Sequence, residues 1–112
     1  MKFYCELYIS ECWKDKKEKM INRVRRMRLS PRIYVIVLAA GPQNNLEFYS
    51  GILLRQKVFK SGDLFVVGIA DGYDECLAIS ERIADDAYQA TGDADIRNYI
   101  LDRQMKYEKA GR

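Results

Sequence analysis

The densest concentration of charge in this chain is a group of nine basic side chains within Lys14 to Arg32, Lys14, Lys16, Lys17, Lys19, Arg23, Arg25, Arg26, Arg28 and Arg32, against only two acids, Asp15 and Glu18. Cations grouped in this way can hold phosphates, because each contact releases a condensed counterion. Lys16, Lys19, Arg23, Arg25, Arg26 and Arg28 are therefore candidate nucleic-acid-binding residues. A plainer reading makes them the solvated face of an amphipathic helix, paired with acids of the last two helices. The charge is divided in a way that permits such pairing. Residues 1–62 carry 13 basic and 5 acidic side chains, net +8, and residues 63–112 carry 6 and 11, net −5. Only Trp13 interleaves with the cations, which is too little aromatic surface for a single-strand stacking platform. No zinc-finger, helix-turn-helix or RNA-recognition pattern accompanies the charge.

Two turns make a second candidate site. Gly41, Gln43, Asn44 and Asn45 follow one apolar run, and Asp71, Gly72 and Tyr73 follow another. In open α/β sheets ligands bind outside the carboxyl ends of strands, and free amides at a helix start can hold an anion. Neither turn has the longer glycine spacing of a phosphate loop or dinucleotide fingerprint. Asp71 and Asp74 would repel an anion and serve equally well as capping residues. Asp71 and Glu75 are four apart, the spacing of two carboxylates on one helix face, with Asp74, Asp85 and Asp86 nearby. A strand-end acid followed by an acidic first helical turn produces the same pattern. No metal site and no cofactor is expected.

The chain has no histidine. That removes the commonest general base near neutral pH and excludes Ser-His-Asp and Cys-His catalysis within the chain, together with any imidazole-ligated zinc. Cys5, Cys12 and Cys76 form neither a disulfide framework nor a four-thiolate site. Cys12 and Cys76 stand near helix starts, where the dipole can activate a thiol, but a packing role explains them equally well. Eight tyrosines in 112 residues suit interfaces as well as helix–sheet packing.

The elements that must position these groups follow from periodicity. Phe3 to Ile9 alternates as a strand, with Phe3, Cys5, Leu7 and Ile9 on one face and Tyr4, Glu6 and Tyr8 on the other. Ser10 stands where a helix cap belongs, and Glu11 to Leu29 repeats apolar residues at helical spacing, ending before Ser30-Pro31. Ile33 to Ala40 is a continuous β-branched run, as in a strand buried on both faces of a parallel sheet. Leu46 to Phe59 fits a helix better than a hairpin, since a parallel connection needs a crossover. Leu64 to Ala70 is the third strand. Tyr73 to Thr91 is a helix with a stripe of Leu77, Ser80, Ile83, Ala84, Ala87 and Tyr88, and Gly92 closes it. Asp93 can cap a last helix built on Ile96, Tyr99, Ile100 and Tyr107, with 106–112 as a frayed tail.

The expected fold is a single α/β domain over 1–112. It has a mainly parallel three-stranded sheet, mixed if 46–59 is a hairpin, in two or three layers with a C-terminal helix. No apolar run approaches the roughly 20 residues of a membrane helix, and no secretory h-region is present, so a cytoplasmic protein with no membrane contact is expected. The missing catalytic signatures favour a non-enzymatic protein-binding or regulatory module, acting as a homodimer because so small a sheet has edges to protect. A nucleic-acid-binding protein using the basic segment is the alternative. A small-molecule or anion-binding domain at the two turns is the third reading.

Overall fold

The structure, a computed structural model, describes residues 1–39, 46–61 and 63–111. Four strands and four α-helices follow in the order β1 (Lys2–Ile9), a 3₁₀ segment (Glu11–Lys16), α1 (Lys17–Arg25), β2 (Ile33–Leu38), β3 (Leu46–Ser50), α2 (Gly51–Ser61), β4 (Phe65–Asp71), α3 (Tyr73–Thr91) and α4 (Ile96–Ala110). The strands form one sheet in the order β1-β4-β2-β3.

This is the expected α/β architecture with a C-terminal helix, in its three-layer form, but the sheet is mixed and has four strands. Only β1 and β4 are parallel, with Ile9 opposite Ile69. β2 runs antiparallel to both neighbours, Ile33 opposite Asp71 on one side and Leu38 opposite Leu46 on the other. The segment expected to be a helix divides instead. Its first five residues return beside β2 as β3, and the helix begins at Gly51. An antiparallel return needs only a short connection, so no crossover is required there.

β2 and β4 are the central strands, and helices cover both of their faces. Ile33, Val35 and Val37, with Leu7, Val66 and Ile69, pack under Met20 and Val24 of α1 and Leu54 of α2. Ile36, Leu38, Val67 and Ala70 pack under Cys76, Ile79, Ile83 and Ala87 of α3 and Tyr99 and Ile100 of α4. The continuous apolar runs thus reflect a central position between two helical layers rather than parallel pairing.

Several local features depart from expectation. Ser10 makes no cap bond to the following segment; its hydroxyl accepts the Asp71 N–H at 2.8 Å and ties β1 to β4. The segment after it opens as a 3₁₀ helix before α1. α4 is capped by Asp95 rather than Asp93, its carboxylate accepting the Asn98 N–H at 3.1 Å. The α3 stripe is rotated by one position onto Cys76, Ile79, Ile83 and Ala87, which leaves Leu77 and Tyr88 exposed. Residues 106–110 belong to α4, and Tyr107 on that last turn is exposed. Gly92 closes α3 in the left-handed conformation as expected (φ 71°). Among the described residues no helix is long and apolar enough to cross a membrane.

Candidate nucleic-acid interface

Met20 and Val24 are four apart and fully engaged with the sheet, so α1 turns its remaining positions outward. Lys16, Lys19, Arg25, Arg26 and Arg28 are exposed and Arg23 is half-buried. Beyond the Arg26 cap of α1 the chain turns at Met27, whose φ of 57° is left-handed. Arg28 N–H donates to Arg23 O at 2.9 Å and Met27 N–H to Val24 O at 3.0 Å, the paired closing bonds of such an end. Arg23 Nε in turn donates to Arg28 O at 3.2 Å. Arg25 lies 5.1 Å from the Phe3 ring centroid. These contacts order the arginines without neutralising them.

A further cation joins from α2. Arg55 donates to Met27 O at 2.7 Å, which brings α2 beside the end of α1 on the same side of the sheet. Gly51 permits that approach, because a Cβ there would sit 2.8 Å from Leu29 Cβ and 2.9 Å from Ser30 O. Arg55 is not among the cations that the sequence marks as candidates. No local signal links α2 to α1, since their contact arises in the tertiary fold.

The charge is one-sided. Nine basic and three acidic side chains in residues 11–32, with Arg55 added, give this layer a net charge of +7. Residues 73–110 carry five basic and nine acidic side chains, net −4, and form the layer on the opposite face of the sheet. The acids that could have paired with the basic segment are thus held across the sheet from it. Among the described residues Lys14 pairs with Glu11 at 3.8 Å and Arg32 with Asp71 at 2.7 Å. Lys16, Lys17, Lys19, Arg23, Arg25, Arg26, Arg28 and Arg55 have no carboxylate within ion-pair distance there.

The carboxyl ends of β2 and β4 are not brought together. β2 and β4 are antiparallel, so the carboxyl end of β2 and Asp71 lie at opposite ends of the sheet. Gly41, Gln43, Asn44 and Asn45 fall outside the described residues. Asp71 is committed to its own fold. Its carboxylate accepts from Arg32 Nε at 2.9 Å and from Arg32 Nη2 at 2.7 Å, while Gly72 N–H donates to Arg32 O at 2.7 Å. Tyr73 packs its ring edge-on against Tyr34 and Phe48. Among the described residues no group of three or more Cys, Asp or Glu side chains is placed to hold a metal ion.

On the acidic side a cleft of about 650 Å³ opens between β1, α3 and α4, lined by Glu6, Tyr8, Lys14, Arg82, Asp86 and Arg103 among others. Its charges are largely satisfied internally. Tyr8 donates to Asp86 at 2.5 Å, Arg103 pairs with Glu6 at 2.7 Å, and Arg82 lies over the Tyr8 ring. Burial, then the hydrogen bond to Asp86, pushes the Tyr8 phenol well above its ordinary range. The thiols are no better suited to chemistry. Burial pushes Cys76 up to about 11. Desolvation and the hydrogen bond to Asp71 raise Cys12, and desolvation together with Glu6 raises Cys5. A raised thiol is a poor nucleophile at neutral pH.

Compared with protein-family models, curated proteins and solved structures, the chain matches none of them.

Proposed function

We propose that this chain is a non-enzymatic cytoplasmic protein that binds double-stranded nucleic acid through the face formed by the 3₁₀ segment, α1 and α2. The observation that carries this reading is the set of eight cations on that face with no carboxylate partner among the described residues, the acids of α3 and α4 lying on the other side of the sheet. An unpaired cationic face concentrates counterions that phosphates can displace. Duplex is favoured over single strands because Trp13 and Tyr49 pack into the core on this side and Phe3 lies under Arg25. Contacts of this kind read the backbone and not the base sequence.

The test is fluorescence anisotropy of a labelled 20-base-pair duplex across a salt series. With six to eight phosphates neutralised, log K falls with log salt at a slope of about −5 to −7. Replacing Arg23, Arg25, Arg26 and Arg28 together by Gln should reduce that slope by about 3 to 4 and lower affinity at least 100-fold. An affinity indifferent to salt, or unchanged in the quadruple variant, removes the reading.

A protein-contact role, including homodimerisation, is compatible with this proposal because it uses a different surface. Tyr73, 50% exposed, packs on Phe48 of β3, and Leu77, 40% exposed, follows one turn further along α3, across the sheet from the basic layer.

A further inference from the structure

The cations of α1 are not spread evenly round the helix. Met20 and Val24 face the sheet. Each residue advances about 100° around a helix, so Asn22, two positions from both, stands about 160° from each. Glu18 lies one turn before it on the same line, and Arg26, the C-cap, one turn after. All three are exposed. Lysines and the other arginines lie to the sides of this crest. Lys19 and Arg23 each precede a buried residue by one position and point to one flank. Lys17 and Arg25 point to the other, where Arg25 lies 5.1 Å from the centroid of the Phe3 ring on β1. Lys17, Ile21 and Arg23 are half-buried, as positions nearer the sheet must be.

A surface that only gripped phosphates would gain from a cation at every crest position. Here a carboxylate and an amide take two of those places, and a carboxylate set against phosphates is repelled. Glu18 has no ion-pair partner among the described residues. Asn22 Oδ1 accepts from Arg25 Nη1 at 3.4 Å, which leaves it a second lone pair and both amide protons. These groups suit base edges. An asparagine pairs with adenine N6 and N7, a carboxylate accepts from cytosine N4, and an arginine such as Arg26 pairs with guanine O6 and N7. Cations along both flanks with base-reading groups between them match a groove, which has a phosphate strand on either side and bases at its floor.

We propose that α1 lies in the major groove of B-form DNA, with Asn22 against a base edge. This inference rests on the duplex-binding reading above and narrows it from any duplex to DNA. A helix with its side chains is about 10–12 Å across, and that groove is about 12 Å wide. The major groove of an A-form RNA duplex is too narrow for side chains to read. Glu18 and Asn22 are about 6 Å apart along the helix axis, close to two base steps. The flanking cations still read the backbone, and the crest adds the base contact.

The test adds two ligands to the anisotropy assay. One is an RNA duplex of the same sequence. The other is the DNA duplex with every adenine replaced by 7-deazaadenine, which removes the N7 acceptor from the major groove and changes no charge. The wild-type protein should bind DNA about tenfold or more tighter than RNA. It should lose about threefold or more on the 7-deaza duplex. Asn22→Ala alters an exposed position, substitutes a strong helix former and should melt like the wild type. It should bind DNA about fivefold more weakly at an unchanged salt slope, and should not distinguish the 7-deaza duplex. Equal salt-dependent affinity for DNA and RNA overturns the groove assignment while the phosphate-binding face stands. So does a wild type indifferent to 7-deazaadenine, or an Asn22→Ala variant as sensitive to it as the wild type. Binding to neither duplex overturns both readings.

Discussion

Gln104 is the polar residue on which the fold depends most visibly. It is 6% exposed on a helix that otherwise buries Tyr99 and Ile100, and its carbonyl takes the Cys5 N–H where β1 leaves the ladder to β4. Between Phe3 and Tyr8 the parallel register shifts, so that amide needs a partner from elsewhere. Gln104→Leu keeps the volume and removes the acceptor, stranding a buried donor. The expected loss is about 1–3 kcal/mol in urea unfolding, and an unchanged midpoint would show that water serves as well. Nothing in the sequence near Gln104 marks it, because the group it satisfies lies 99 residues away.

Gly51 has the corresponding role between elements. It stands at the junction of β3 and α2, where the chain passes Leu29 and Ser30 with no room for a side chain. Gly51→Ala should improve intrinsic helix propensity by up to about 1 kcal/mol, yet cost more by forcing backbone apart. A net destabilisation of about 1–3 kcal/mol is expected, since the obstructing Ser30 O is backbone and cannot swing away. It should also weaken duplex binding by displacing Arg55 from Met27. Thermal melts and the anisotropy assay check the two effects separately. A variant more stable than wild type would mean that the junction relaxes freely.

Across the whole molecule the groups with resolved upward shifts share one direction. Burial pushes Tyr49 up to about 12 and Cys76 up to about 11, and raises Tyr4 and Tyr8 further. Each keeps its proton in the folded state at a pH where the unfolded chain has lost it. Their contribution is therefore fully present below the unfolded thiol value of about 8.5 and is lost as pH rises through 9 to 12. The melting temperature should be level from pH 7 to about 8.5 and then fall, with Cys76→Ala falling less steeply. A melting temperature that rises through that window would contradict the assignment.

Much of this molecule was legible from local pattern. Three of the strands, the long helix from Tyr73 to Thr91, its glycine cap and the basic run were all readable, since alternation, helical spacing and left-handed glycine are properties of a few adjacent residues. The strand at Leu46–Ser50 was not, because five residues that satisfy both periodicities are decided by what lies beside them, here β2. The parallel direction expected for β2 was wrong, since β2 is antiparallel to both neighbours: an apolar run reports burial on both faces, which any central strand between two helical layers has. The functional reading turned on the same distinction. The sequence determined how many cations there are and that no histidine accompanies them. Only the tertiary structure decided that the acids of α3 and α4 lie across the sheet from the basic segment, because the sheet stands between the two helical layers.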